Sequence, residues 1–595
     1  MLRRHFLFLS LITIFILSPI TEAVGTFTLK EVRSITIHAP AVTLSGKVMK
    51  GVLTNITITL VRPGRGRVFI STTPLSQLDI QASARVAAMI ACELAGVPST
   101  CVDFLIEVKS NSIVIGGPSA SAYMCVAMYA LIKGLKLRDD VSMTGMINPD
   151  GSIGPVGGIL EKAEAVAKRG VKLFLIPLGE EETTTYEVRE REIGPFIYRE
   201  LIPRRINVVA YAREKFGLKV IPVYNIGQAI SYFTGLKYKV LKPPISITLS
   251  PRYLEALKNM GEELLRIDTK LYNELNSKLS GAFAEELKRY YQLMEESKRL
   301  LNEGRYYVAS SRAFALLTHL KYLELVYEVN EKGERAFVRR AKEANATLTS
   351  LYEKVKSFKP TLTNIGLLIA IVERLEETRK SLTDSGKYYK QYLSEGFDSL
   401  LVKAVDSLSF SEARLAGVEL WLKWIRKLKV WGTKVIPLPI IKRVTENLMD
   451  EAYSVMAYAL SIFGEERIEE VKKVEEYLNM AKEAYLKGDY LSASADSIRV
   501  LAYLLYEFNT IVRKEALGKI VNYSRSQALT LCNEAKELGM EPYLALNYLE
   551  YGDYVRDLLD RIFFYKLAAI HAKYLIIIAK EIKNLSKSIG IIIRP

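Results

Sequence analysis

One change of period divides the chain. Upstream of Leu241-Lys242-Pro243-Pro244 and Pro251, short runs alternate apolar and polar residues, as in Ser34-Ile35-Thr36-Ile37, Ile56-Thr57-Ile58-Thr59-Leu60 and Val68-Phe69-Ile70-Ser71. That period of two marks half-buried strands broken by Gly and Pro turns. Helical stretches interrupt them: Leu78 to Ala95, a run from Ser119 to Lys133, and one ending near Arg169. Val171-Lys172-Leu173-Phe174-Leu175-Ile176-Pro177 has the continuous apolar character of a buried strand. Strands interleaved with helices predict an α/β or α+β domain. Residues 180 to 206, acidic, then mixed in charge, then proline-containing, read as an insertion into it.

Downstream of Pro251 the period is helical and strand signals almost vanish. A turn motif recurs there: Leu301-Asn302-Glu303-Gly304, Leu393-Ser394-Glu395-Gly396 and Leu486-Lys487-Gly488 carry evenly spaced glycines, and Tyr551-Gly552-Asp553-Tyr554 reads as a fourth copy. Glycine in such a setting ends one helix in the left-handed conformation before an antiparallel partner begins. The pattern predicts an all-α region of stacked helical hairpins. The expected organisation is residues 1–23 as a signal segment, 24–240 as the α/β domain, 241–252 as a stiff linker and 253–595 as the helical region.

Arg3 and Arg4 precede an apolar run from Phe6 to Leu17, and Thr21-Glu22-Ala23 offers a cleavage site after Ala23. This is the pattern of a secretory signal. The run is shorter than the about 20 residues of a membrane span. Cleavage, giving a secreted protein, and retention as an anchor on the extracellular face of the membrane both stay open. Export allows a disulfide between Cys92 and Cys101 across the Gly96-Val97-Pro98 turn, against the simpler reading of all four cysteines as buried hydrophobes. No Cys or His spacing suits a metal, so neither metal nor cofactor is expected. The net charge is +16, but the basic residues are mixed with 66 acidic ones and no nucleic-acid module occurs. Nucleic acid is therefore not an expected partner.

Two segments carry chemistry. Gly116-Gly117-Pro118-Ser119-Ala120-Ser121 lies where a strand hands over to a helix, and Gly154-Pro155-Val156-Gly157-Gly158-Ile159-Leu160-Glu161-Lys162 opens another helix. Taken singly, Ser119 is an ordinary helix cap and Lys162 an ordinary solvated lysine. Together, with Thr144-Gly145 between them, they resemble the proteolytic domain of the Lon family of serine peptidases (S16). Its glycine-rich Ser-Ala motif, Thr-Gly and Pro-Val-Gly-Gly-x-x-x-Lys motif follow in this order. Pro63-Gly64-Arg65-Gly66-Arg67 is similar to the family's glycine-basic hairpin. The resemblance covers residues about 40 to 235, and Ser119-Ala120-Ser121 is closest to the archaeal membrane-bound branch.

The resemblance implies Ser119 as nucleophile, Lys162 as general base, Thr144 as a residue orienting the amine, and Gly117 and Ala120 as supporting positions. It also implies a homo-oligomer, a hexamer in the family's usual form. The chemistry agrees, since a serine hydroxyl needs a base to take its proton. An amine is a base near neutral pH only if burial or a helix N-terminus lowers its pKa from about 10.4. Three departures stand out: Gly116 replaces an acidic residue, Leu160 replaces a lysine, and the 180 to 206 insertion has no counterpart. No Gly-x-x-x-x-Gly-Lys-Ser/Thr segment for ATP occurs in these residues. The reading is an exported, ATP-independent serine endopeptidase cutting peptides or unfolded proteins. The competing reading is an inactive Lon-like helical scaffold that binds at the cell surface.

Overall fold

The computed structural model describes residues 31–45, 48–76, 78–115, 117–193, 196–237, 247, 249–427, 434–464 and 468–588. The expected signal segment and most of the expected linker lie outside them.

The N-terminal region is built on two sheets. In the first, β1 (Glu31–Ser45), β2 (Val48–Arg62), β3 (Val68–Ser76) and β4 (Asp103–Ile115) lie in the order β1-β2-β4-β3, antiparallel except for β3 beside β4. The period-two residues Ile37, Ile56, Ile58, Leu60, Phe104, Ile106 and Val108 all face the core. They pack against α1 (Leu78–Ala95) and α2 (Ser121–Lys133). The second sheet is parallel, with β8 (Leu173–Pro177) between β5 (Val141–Met143) and β11 (Lys219–Val223). A central parallel strand is covered on both faces, and every residue of β8 is buried. In the chain between β5 and β8, β6 (Met146–Ile147) and β7 (Ile153–Gly154) form a small antiparallel pair, and α3 (Ile159–Lys168) follows.

Strand β2 crosses α3 so closely that a Cβ on Gly51 would lie 1.8 Å from the Glu161 carbonyl oxygen and 3.1 Å from Ala165 Cβ. Neither backbone can yield cheaply. Gly51→Ala is therefore expected to cost at least the about 1–3 kcal/mol of ordinary overpacking and to displace α3, measured as a lowered urea-unfolding midpoint.

The insertion is a long hairpin, β9 (Glu182–Ile193) paired in register with β10 (Phe196–Asn207). Short helices α4 (Val208–Phe216) and α5 (Ile226–Thr234) complete the region.

The rest is helical: α6 (Pro251–Asn276), α7 (Gly281–Asn302), α8 (Tyr306–Lys332), α9 (Glu334–Lys356), α10 (Ile365–Glu395), α11 (Asp398–Lys427), α12 (Leu438–Phe463), α13 (Ile468–Leu486), α14 (Tyr490–Thr510), α15 (Lys514–Glu537), α16 (Tyr543–Tyr554) and α17 (Leu558–Ser588). Gly304, Gly396 and Gly488 follow α7, α10 and α13 with φ of 78°, 75° and 77°, and each joins a packed hairpin. Gly552 is different. It lies inside α16, where a Cβ would meet the Tyr565 ring at 2.6 Å, so it is a close-packing glycine and not a fourth turn. Leu558–Leu585 is long and apolar enough to cross a membrane, but 78% of its most apolar window is buried among the other helices.

The two regions share a packed boundary. Helix α12 lies against α1, and the rings of Tyr224 and Tyr523 stack 4.4 Å apart. Lys566 of α17 and Asp150 of the turn between β6 and β7 form an ion pair with side chains only 1% and 7% exposed. All four cysteines are free thiols; Cys92, Cys125 and Cys532 are buried and Cys101 is exposed.

Candidate active site

Ser119 sits in a single 3-10 turn, Pro118–Ala120, that feeds α2. Gly117 enters the turn at φ 92°, a conformation open to glycine, and donates its N–H to Asp79 Oδ2 at 2.7 Å. Asp79 comes from the first turn of α1, and the sequence alone gave no reason to place it here. The resemblance lacks its acidic residue at position 116, which lies outside the described residues; Asp79 brings a carboxylate to the next residue. The Ser119 carbonyl accepts two hydrogen bonds, from Gly145 N–H at 2.9 Å and from the Thr144 hydroxyl at 3.2 Å. Ala120 ends the turn, and Ser121, the first residue of α2, closes it with N–H and hydroxyl both donated to the Pro118 carbonyl.

Lys162 approaches from the other side. Gly158, at φ 67°, starts α3, and Lys162 donates its N–H to the Gly158 carbonyl at 3.0 Å, which places it in the first turn. A Cβ at Gly158 would lie 2.5 Å from Val42 Cγ1, so strand β1 packs directly on this helix start. Lys162 is 2% exposed, and its Nζ donates to Thr144 Oγ1 at 3.3 Å. Among the described residues no hydrogen bond joins the Ser119 hydroxyl to Lys162; the link runs from Lys162 through the Thr144 hydroxyl to the Ser119 carbonyl. Ser119, Thr144 and Lys162 thus lie on one hydrogen-bonded chain. Thr144 occupies one N–H of the amine, which leaves the lone pair of the neutral form free to point elsewhere.

Burial pushes the Lys162 amine down from 10.5 to about 8, against the opposing fields of Glu161 and Glu180. Glu180 follows β8, is 6% exposed and has its carboxyl pushed up to about 6 by burial. Its counter-charge comes from the helical region, since Arg513 Nε lies 3.6 Å from Glu180 Oε1. Arg513 also donates to the Glu182 carbonyl, and Lys519 Nζ lies 3.7 Å from Glu181 Oε1. Removing a negative charge that favours the ammonium lowers the amine further. Glu180→Gln is therefore expected to move the acidic limb of a kcat/KM–pH profile below the wild-type position near 8.

Comparison with known proteins finds similarity in the region that holds these residues. Residues 37–191 match the Lon protease (S16) C-terminal proteolytic domain. The Lon protease of Desulforamulus reducens is 41% identical over 75 residues, covering 13% of this chain and 9% of the relative. Lon protease 1 of Sorangium cellulosum is 35% identical over 127 residues, 20% of this chain and 15% of the relative. Escherichia coli Lon protease is 34% identical over 119 residues, 19% of this chain and 15% of the relative. The chain thus matches no more than 15% of the length of these relatives. The matched residues include Ser119, Thr144 and Lys162.

Proposed function

We propose that the chain is an exported serine endopeptidase that hydrolyses peptides or already unfolded proteins without ATP, through Ser119 and Lys162. The observation that carries this reading is a buried lysine amine in a helix's first turn, tethered through Thr144 to the turn that bears the serine. The neutral amine accepts the Ser119 hydroxyl proton as Oγ bonds to the scissile carbonyl carbon, and the carbonyl π electrons move onto oxygen. Backbone N–H groups at the start of α2 are the donors proposed to stabilise that oxyanion. Collapse breaks the C–N bond, the lysine returns its proton to the leaving amine, and water then hydrolyses the ester by the same base. Thr144 orients the amine, while Asp79 fixes Gly117 and with it the entry to the turn.

Export rests on the signal pattern before residue 24, and independence of ATP on the lack of a phosphate-binding loop in these 595 residues. Ser119-Ala120-Ser121 supports kinship with the archaeal branch, and the resemblance supports a homo-oligomer, a hexamer in its usual form. Unfolded casein incubated with purified protein and no nucleotide tests the reading. Wild type should cleave it, and Ser119→Ala and Lys162→Ala should not; cleavage that appears only on adding ATP, or that survives in Ser119→Ala, would overturn it.

A further inference from the structure

The helical region reaches into the scaffold that holds the proposed nucleophile. Tyr458 of α12 is completely buried, and its hydroxyl donates to the Ile147 carbonyl at 2.9 Å. Its ring stacks on Phe508 of α14 at 5.2 Å. Ile147 in turn donates its N–H to the Ser121 hydroxyl at 2.8 Å, and that hydroxyl donates to the Pro118 carbonyl at 2.6 Å. The Tyr458 hydroxyl also interacts with the Ser121 side chain.

The residues just before Ile147 are the ones that grip Ser119. Gly145 N–H and the Thr144 hydroxyl both donate to the Ser119 carbonyl, and the Gly145 carbonyl accepts from Ala122 N–H at 3.2 Å. Thr144 also receives the Lys162 amine. Segment 144–147 is therefore a splint with the serine turn and the lysine on one side and Tyr458 on the other. Nothing else among the described residues supplies the Ile147 carbonyl with a side-chain donor.

We propose that Tyr458 is a positioning residue for the Ser119 turn, so that the peptidase site is complete only with the helical region docked on it. The inference rests on the function proposed above. It makes the helical region part of the site's geometry, beyond any role in substrate delivery. Without the hydroxyl, the buried Ile147 carbonyl loses its side-chain donor. The splint then relaxes, and the geometry needed only in the transition state is lost while substrate contacts stay unchanged.

The test uses the full chain with an unfolded-casein substrate, together with labelling by a serine-directed phosphonate. Tyr458→Phe keeps the ring and its packing. It should lower kcat about tenfold, one hydrogen bond's worth, with KM unchanged. Ser121→Ala, which removes the middle link, should lower kcat similarly. Phe508→Leu, which loosens the same packing but keeps the hydroxyl, should leave kcat within about twofold of wild type at a temperature well below unfolding. A wild-type protein inert to both casein and phosphonate overturns the function and this inference together. A reactive wild type with unchanged kcat in Tyr458→Phe, or equal losses in Phe508→Leu, overturns this inference alone. If Tyr458→Phe does not fold, unchanged kcat in Ser121→Ala overturns it as well.

Discussion

Lys162→Met is expected to lower kcat/KM for an unfolded substrate by about a thousandfold, within the about 10²–10⁴ that general-base catalysis contributes. It is also expected to make the folded protein more stable near neutral pH. Both effects have one source. An amine whose pKa falls from 10.5 to about 8 carries a desolvation cost of about 3 kcal/mol below pH 8. Methionine removes that cost, and the lost hydrogen bond to Thr144 returns about 1 kcal/mol of it, leaving a net gain of about 2 kcal/mol.

The pH dependence follows from proton counts. Between about 8 and 10.5 the unfolded chain binds the lysine proton and the native state does not, so wild-type stability rises with pH across that window. The advantage of Lys162→Met should shrink over the same range, read from urea unfolding at pH 7 and pH 10. A lysine kept only for structure would show the opposite, a methionine variant less stable and no less active.

The second large effect concerns the boundary between the two regions. Lys566→Met strands the buried carboxylate of Asp150, which loses its pair with Lys566 and, among the described residues, keeps hydrogen bonds from Ser152 alone. Removing one partner of a buried pair costs about 3–5 kcal/mol. The double variant Asp150→Asn with Lys566→Met should recover most of that loss, because replacing both partners removes the uncompensated charge. The Lys566 ammonium and the Ser152 hydrogen bonds outweigh burial and hold the Asp150 carboxyl below its usual value. The pair's contribution should accordingly be complete above about pH 4 and be lost as pH falls through the lowered folded value. Thermal unfolding of the single and double variants at pH 7, and of wild type on acidification, measures both. Because the Asp150 turn follows the splint that grips Ser119, the single variant should lose activity along with stability.

The site was legible in the sequence to the extent that its chemistry is local. Ser119, Thr144 and Lys162 each sit at a turn that glycine or proline punctuates, and the resemblance to the Lon proteolytic domain that those motifs carry in that order implied that the three meet. Helix α1 was read with its observed bounds, because its apolar stripe and the glycine turn after it are short-range signals. What the sequence concealed was contact across long chain separations. Asp79, Tyr458, Arg513 and Lys566 are an acid in a helix's first turn, a tyrosine among many, and two ordinary cations; nothing in their own neighbourhoods marks them. A weak signal existed for Lys566, a charge inside the otherwise apolar stretch of α17, where a buried lysine needs a partner.

The hairpin β9–β10 was read only as an insertion because its charges and Pro203 hid a period of two, although Thr183-Thr184-Thr185-Tyr186-Glu187-Val188 has strand composition. Gly552 was grouped with the turn glycines because the residues around it repeat their pattern. Its place inside α16, and the Tyr565 ring that a Cβ there would meet, show that it serves packing instead.

The central claim is that Lys162 activates Ser119. The most direct measurement is mass-spectrometric mapping of the adduct formed with a serine-directed phosphonate, on wild type and on Lys162→Met, without nucleotide. The account predicts one modified serine, Ser119, labelled in wild type at a rate that rises toward pH 8 and labelled far more slowly in Lys162→Met. An adduct on another serine, or equal labelling of Ser119 in the two proteins, would contradict it.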